Sequence, residues 1–332
     1  MIEFSVIVPV YQGVETLPRC LNALLQQSID RSRYEIIVVD DGSLDQTASI
    51  AESILGPQQA RVIRAPHGGP AQARNLGAQA ARGDLLLFTD ADCEPAADWL
   101  ERMTRVFADV TISGAKGVYH SRQRSLVARF VQQEYQDKYD RMLNLPAIDF
   151  IDTYSAAYRR AVFAASGGFD PSFTTASVED QEFSFRLTEQ GCRLVFVSDA
   201  IVYHQHDATV REYVRRKYGI GYWKALVLRR HPGKAIKDSH TPQSIKVQIG
   251  LLAIASATTL LMIPVSGFAL PAIGAWLMLL CTMLPLLIKI ARCDAAVLWI
   301  TPLMIGLRAF SLGAGLTLGL IHFNLFPRRH PA

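Results

Sequence analysis

Short runs of apolar, largely β-branched residues punctuate the first hundred positions: FSVIVPV at 4–10, YEIIVVD at 34–40, RVIRA at 61–65 and DLLLFTD at 84–90. Between them the period lengthens. Residues 15–27 put Leu17, Leu21, Leu24 and Leu25 on one helical side, and 45–55 do the same with Ala48, Ala51, Ile54 and Leu55. GPAQARNLGAQAA (69–81) opens a third helix. Continuous apolar runs separated by roughly ten-residue helices predict βαβ units, hence an α/β fold whose mostly parallel sheet is covered on both faces. Ligands of such sheets gather at the carboxyl ends of the strands. Three of these ends carry polar signals, VPVYQG, VVDDGS and FTDADCEP, and that coincidence locates the site.

Residues 100–205 are less regular. DQEFSFRLTEQ (180–190) reads as a helix with Gly191 as its C-cap, and a short strand pair is expected in the stretch that ends at His206. From 207 to 240 the chain is strongly cationic, with Tyr213, Tyr218, Tyr222 and Trp223 set among Arg and Lys. That mixture suits a helix at a lipid headgroup layer; a solvated basic helix is the plainer alternative.

The pattern then turns apolar. VQIGLLAIASATTLLMIPVS (247–266) and GFALPAIGAWLMLLCTMLPLLI (267–288) are uncharged and each about 20 residues long, enough to cross a bilayer core. Pro264 to Gly267 joins them into a helical hairpin. The next apolar stretch, 295–326, is interrupted by Pro302 and Arg308, so a third span is expected over about 309–326, preceded by an interfacial piece. Lys289 and Arg292 favour an inside loop after the second span, and Arg328 and Arg329 favour the inside too; a single third span cannot satisfy both. The expected organisation is a catalytic domain over 1–225, a basic interfacial linker over 226–246, and two to three membrane helices over 247–326.

Charge sharpens the division. Residues 1–205 hold 19 Lys+Arg against 26 Asp+Glu, whereas 206–332 hold 15 against 4. An acidic globular part followed by a basic, apolar one points to a membrane surface and away from nucleic acid. Cys20, Cys93, Cys192, Cys281 and Cys293 show no CxxC spacing, which argues for reduced thiols rather than disulfides or a zinc site. MIEFSVIVPVYQG has neither a basic region nor a long apolar run, so it reads as a first strand and not a secretory signal. The expected location is a multi-pass protein of the inner membrane with its catalytic part in the cytosol.

The acids at the strand ends carry the chemistry. DAD places Asp90 and Asp92 where a strand is ending, so both can turn toward one point; hard divalent cations want such oxygen ligands, and a simple turn is the alternative. In VVDDGS, Asp40 and Asp41 can accept from a nucleobase or ribose, or form a turn that caps the next helix. GGPAQARNLG presents free N–H groups at a helix start, with Arg74 one to two turns in and able to reach an anionic nucleotide. Glu179 and Asp180 open the helix after 178, where carboxylates suit the macrodipole; either can also serve as a base toward an acceptor hydroxyl. His204 and His206 follow another strand and can complete a metal site or contact a phosphate.

Taken together, residues 4–225 resemble the inverting family 2 glycosyltransferases of the GT-A fold. The carriers are VIVPVYQG, VVDDGSLDQT, GGPAQARNLGAQAARGDLLLFTDADCEP, GGFDPSF and VEDQEFSFRL, in this order. The resemblance implies a nucleotide-sugar donor, by default a UDP-sugar, and a DXD-type motif that binds Mn2+ or Mg2+ on the diphosphate. Carried over by position, Pro9 and Tyr11 line the nucleoside pocket, Asp40 contacts the base, and Arg74 helps to hold the nucleotide. Asp90 lies near ribose and metal, Asp92 is the principal metal ligand, and His204 matches the family's frequent histidine, with His206 as a rival. Asp180 is the implied general base, and Gly167, Gly168 and Phe169 match the turn under the acceptor site.

One departure matters. Processive polysaccharide synthases of this family carry Gln-x-x-Arg-Trp after this region, and REYVRRKYGIGYW (211–223) lacks it, which favours transfer of one or a few sugars. Arg215 and Arg216 are expected near a diphosphate or lipid headgroups. The basic segment and apolar C-terminal part suggest a lipid-linked or glycan acceptor. Two other readings compete: a sugar nucleotidyltransferase, whose Gly-rich, Arg-containing loop is missing after the first strand, and an inactive membrane-anchored nucleotide-sugar-binding protein.

Overall fold

The computed structural model describes residues 2–56, 60–173, 177–235, 239 and 241–325. Its strands are β1 (Phe4–Val10), β2 (Tyr34–Asp40), β3 (Ala60–Arg64), β4 (Leu85–Phe88), β5 (Glu94–Pro95), β6 (Ile112–His120), β7 (Ala156–Arg159) and β8 (Arg193–Tyr203). The α-helices are α1 (Leu17–Leu25), α2 (Thr47–Leu55), α3 (Pro70–Ala80), α4 (Trp99–Arg105), α5 (Leu126–Met142), α6 (Arg160–Ala165), α7 (Glu179–Glu189), α8 (Val210–Arg230), α9 (Gln243–Met262), α10 (Ala269–Cys293), α11 (Ala295–Leu298) and α12 (Thr301–Leu325). They fall into two units. One runs through Arg122 and resumes over Tyr139–Gln205; the other takes Gln123–Lys138 and the chain from His206 onward.

The first unit is built on one sheet of order β3-β2-β1-β4-β7-β6-β8-β5. β1 pairs in parallel with β2, Val10 opposite Asp40, and with β4, Ile7 opposite Phe88. β7 runs antiparallel between β4 and β6. Strand order reverses at β1, and an open α/β sheet leaves a crevice at the carboxyl side of such a switch point. The apolar runs predict this because Val6, Ile7, Val8 and Ile36 to Val39 are wholly buried, with helices on both faces. α3 lies close on β1 because position 77 is glycine: a Cβ there would collide with the Ile7 side chain. Beside β4, the rings of Phe88, Tyr158, Phe163, Phe169 and Phe183 meet with centroids 4.9–6.0 Å apart. This aromatic block joins β4, β7, α6 and α7, and so fixes the strand tip that carries Asp90 against the helix that carries Asp180.

Two expectations change. The strand pair expected before His206 is one eleven-residue strand, β8. Its register with β6 slips around Ser198 and Asp199, with Lys116 opposite Phe196 and Val118 opposite Ile201. A bulge absorbs the polar residues, and Asp199 accepts a hydrogen bond from Arg102 of α4 at 2.9 Å. The apolar helix expected from about 309 begins at Thr301. Pro302 sits in its first turn, where no intrahelical N–H is required, and Arg308 finds a buried carboxylate.

That carboxylate belongs to the second unit, a set of helices made by the first part of α5 with α8 to α12. Phe130, Val131, Tyr213, Leu279, Met283, Ile290, Met304 and Ile305 form its core. Within it Glu134 Oε1 accepts from Arg308 Nη1 at 2.6 Å and from the Tyr213 hydroxyl at 3.1 Å, while Lys217 Nζ lies 3.0 Å from Oε2. Burial pushes the Glu134 carboxyl up, but the Lys217 and Arg308 charges hold it down at about 2. Arg308 Nη2 also donates to Gln248 Oε1 of α9 at 2.9 Å, so one ionic group ties four helices. α9, residues 266–293 and α12 are each long and apolar enough to cross a membrane.

Candidate active site

The polar tips of β1, β2 and β4 meet α3 and α7 in the first unit. The organising residue is Arg74, 3% exposed on the first turns of α3. Its Nη2 donates to Asp90 Oδ1 at 2.8 Å and its Nη1 to Glu179 Oε1 at 2.7 Å. The other Glu179 oxygen accepts from Ser177 N at 2.8 Å. Arg74, expected to face a nucleotide, thus locks the tip of β4 to the head of α7. Burial raises the Asp90 carboxyl and the Asp92 charge adds to it, with Arg74 opposing both.

Asp92 turns out of the sheet into a more open position. Its Oδ2 lies 3.1 Å from His204 Nε2, and the His204 ring stacks on Tyr119 with centroids 4.6 Å apart. Burial works to raise Asp92, but the His204 hydrogen bond and charge leave it below its ordinary value. Asp92, Cys93 and His204 place donor atoms within 4.8 Å of one another. The Cys93 thiol is raised by burial and by the charges of Asp92 and Asp90, so it stays protonated and is a poor ligand for a hard cation. The carboxylate and imidazole pair fits a divalent cation such as Mn2+ or Mg2+, and the Asp92 side chain is exposed on the side where further oxygen ligands would add. His206 is elsewhere: in the second unit its Nε2 lies 3.0 Å from Gln132 Oε1, and its ring stacks on Tyr135.

Asp180 heads α7 beside Glu179. Its Oδ1 accepts from Gln181 N at 2.8 Å and its Oδ2 from Thr153 N at 3.4 Å. Burial, joined by the charges of Glu179 and Asp152, raises its pKa well above the usual carboxylate range, with Arg74 the opposing influence. Asp152 is itself paired with the fully buried Lys116. The Lys116–Asp152 pair went unread in the sequence because its members lie on separate segments and no local motif joins them.

At β2 the two acids divide the work. Asp40 Oδ1 accepts from Ser43 N at 3.1 Å, the turn geometry that competes with a role toward a base. Asp41 accepts from Gly68 N at 2.8 Å and Gly69 N at 2.9 Å, and so holds the glycine turn ahead of α3. Tyr11 is 46% exposed past β1 and packs on His67 with ring centroids 4.4 Å apart, while Pro9 lies half-buried opposite Val39. Asp41, read with Asp40 as a ligand or a turn former, holds a turn, and His67 beside it was missed as a site-shaping residue. Gly167 and Gly168 take φ of 76° and 69°, which favours glycine, and Phe169 turns into the aromatic block. Asn75 secures this turn, donating to Phe169 O at 2.7 Å and accepting from its N at 2.9 Å. Arg215 and Arg216 lie on α8 in the second unit, where Arg216 pairs with Asp207 at 2.7 Å and Arg215 is exposed.

Comparison with known proteins gives this arrangement a context. The profile described as "Glycosyl transferase family 2" matches residues 5–167, and that described as "Glycosyl transferase family group 2" matches 87–312. Glycosyltransferase AglE of Haloferax volcanii is 33% identical over 214 residues, 60% of this chain and 66% of the relative. Pre-mycofactocin glycosyltransferase of Mycobacterium tuberculosis is 29% identical over 240 residues, 70% of this chain and 49% of the relative. The chain therefore spans less than two thirds of the length of these curated relatives. Among solved structures, mannosyltransferase PcManGT from Pyrobaculum calidifontis, in complex with GDP-Man and Mn2+, superposes with a TM-score of 0.60 at 20% identity, covering 98% of this chain and 88% of that one. S. aureus TarS 1–349 in complex with UDP-GlcNAc gives 0.51 at 19% identity, covering 98% and 92%. Both likenesses concern the fold.

Proposed function

The chain belongs to the family 2 glycosyltransferases, and from that premise we propose that it moves one sugar from a nucleotide-sugar donor, by default a UDP-sugar, to a lipid-linked or glycan acceptor, with inversion and metal dependence, at a membrane surface. The observation that carries this reading is the Arg74 bridge. It sets Asp90, two residues before Asp92 of the Asp92–His204 pair, in fixed relation to Glu179, whose neighbour is Asp180. Donor pyrophosphate and acceptor base then belong to one rigid constellation.

Asp92 and His204 would hold a divalent ion, which when bound would supply Lewis-acid stabilisation of the negative charge on a departing diphosphate. Tyr11, with His67 behind it, offers a ring for the nucleobase, and Asp40 stands at the same edge. Of the two candidate bases, Glu179 is tied up in an ion pair with buried Arg74, whereas Asp180 accepts from backbone N–H groups and carries the raised proton affinity that general-base work near neutral pH requires. Asp180 therefore takes the proton of the acceptor hydroxyl as its oxygen attacks the anomeric carbon, and no covalent enzyme intermediate is needed.

A base must be deprotonated to act, so kcat/KM rises with pH through the Asp180 pKa, and that limb lies above the ordinary carboxylate range. Asp152→Asn removes one of the negative charges that raise Asp180. Its acid limb should move to lower pH in the rate profile; an unmoved or upward-shifted limb contradicts the assignment of the base. Turnover of a panel of UDP-, GDP- and dTDP-sugars, with and without Mn2+, tests the activity itself. Metal-stimulated release of nucleotide from one donor is expected. No turnover of any donor, with nucleotide binding retained, would favour an inactive binding protein.

The apolar α9–α10 pair supplies the membrane anchor in this reading, with the catalytic unit on the cytosolic face of the inner membrane. Lys246 in the first turn of α9 and Lys289 and Arg292 in the last turns of α10 put cations at the same end of the hairpin, as the positive-inside rule requires.

A further inference from the structure

We infer that α12, though long and apolar enough to span a bilayer, lies in one leaflet alongside α8, leaving the α9–α10 hairpin as the membrane crossing. The inference rests on the membrane anchorage proposed above. Its basis is how α8 and α12 pack. Both run in the same direction, side by side, and glycines bring the backbones into contact. A Cβ on Gly315 would collide with the Tyr218 carbonyl, one on Gly319 with the Tyr222 carbonyl, and one on Gly221 with the Leu312 carbonyl. At one end Lys217 and Arg308 share Glu134; at the other Arg229 donates to the Phe323 carbonyl. Whatever depth α12 has from 308 to 323, α8 shares it from 217 to 229.

From 308 to 323 the helix rises about 22 Å at 1.5 Å per residue, most of a hydrocarbon core of about 30 Å. Were α12 to cross, α8 would carry Lys217, Lys224, Arg229 and Arg230 through the core with it, and intramembrane cations of that density are rare. Connectivity gives the same answer. α8 ends beside Phe323, while α9 begins near Gln248, which is bonded to Arg308 at the opposite end of α12. The twelve residues 231–242 would have to bring the chain back across the membrane, and that is too few for a spanning helix, while an extended segment would leave its N–H groups unpaired in lipid. Laid in the plane of the membrane, the pair meets neither objection.

The side chains suit that placement. Leu303, Phe310, Leu318, Ile321 and Leu325 form an exposed apolar stripe along α12, ready for acyl chains. α8 exposes Arg211, Arg215 and Arg229, ready for headgroups. Trp299, 88% exposed just before α12, is of the kind that sits at the membrane interface. α9 and α10 differ: they are antiparallel, with Gln248 donating to Thr282 O and Trp276 to Thr259 Oγ1, and turn at 263–268. The placement also removes the conflict among the basic residues. With two crossings, Lys289, Arg292, Arg328 and Arg329 all fall on one side.

Introduced cysteines in the full chain, with Cys192, Cys281 and Cys293 changed to Ser and only the buried Cys20 and Cys93 retained, decide the question by labelling with an impermeant maleimide in right-side-out and inverted vesicles. Ser266→Cys should react from the face opposite to Arg292→Cys, and Pro331→Cys from the same face as Arg292→Cys. Reaction of Pro331→Cys together with Ser266→Cys overturns the in-plane placement while leaving the hairpin intact. Reaction of Ser266→Cys and Arg292→Cys from one face overturns the hairpin and the placement together. Nitroxide labels at Leu303, Phe310, Leu318 and Leu325 give a second readout. Uniform shallow depth is expected, and a depth maximum between Phe310 and Leu318 contradicts it.

Discussion

Asp180→Asn should lower sugar transfer about 10³-fold, within the range that a positioned general base contributes, while leaving nucleotide-sugar affinity unchanged and thermal stability at or above that of the wild type. The combination is the informative part. Asp180 is buried beside Glu179 and Asp152, so its charged form is disfavoured where it stands, and burial is the largest cause. Asn keeps the side-chain oxygen that accepts from Gln181 N while removing the repulsion. A residue held against its own stability is what a catalytic role predicts and a helix cap does not. Steady-state kinetics and a melting curve on the same preparation check both halves. Retained activity, or an unfolding temperature well below wild type, contradicts the assignment.

Arg74→Met carries the largest expected cost in stability. It leaves Asp90 and the deeply buried Glu179 without their shared cation, and breaking a buried ion pair from one side costs about 3–5 kcal/mol. For a unit of this size that is a fall in unfolding temperature of about 10 °C, readable by calorimetry. Arg74→Lys should recover only part of it, because one ammonium cannot reproduce the two-pronged contact at 2.8 and 2.7 Å. A loss of nucleotide affinity with no change in stability would instead mean that Arg74 serves the ligand directly, as its position in the sequence first suggested.

The buried strands were readable because a parallel sheet covered on both faces needs unbroken apolar runs, and Phe4–Val10, Tyr34–Asp40 and Leu85–Phe88 supply them. The acids at their ends stand out for the same reason, as polar residues at the carboxyl edge of an otherwise apolar sheet, although a turn accounts for Asp40 as readily as a ligand does. What escaped depends on partners distant in sequence. Nothing local distinguishes Asp40 from Asp41, yet one closes a turn at Ser43 and the other holds Gly68 and Gly69. His204 and His206 are two residues apart and looked interchangeable until the chain left β8 after Tyr203, which sends them to different neighbours. The stretch before His206 resembled a strand pair because the bulge at Ser198 and Asp199 has no sequence mark of its own. Arg308 resembled a break in an apolar helix because Glu134, 174 residues earlier, is invisible to any local pattern.

The central claim is a divalent cation held by Asp92 and His204 where a nucleotide diphosphate binds, and metal-dependent nucleotide binding tests it most directly. UDP and GDP should raise the melting temperature of the wild-type protein in the presence of Mn2+ and do so far less in EDTA, by the mass-action stabilisation a ligand gives the native state. In Asp92→Ala the Mn2+-dependent part of the shift should vanish while the metal-free protein melts as wild type does. An undiminished Mn2+-dependent shift in Asp92→Ala would contradict the account.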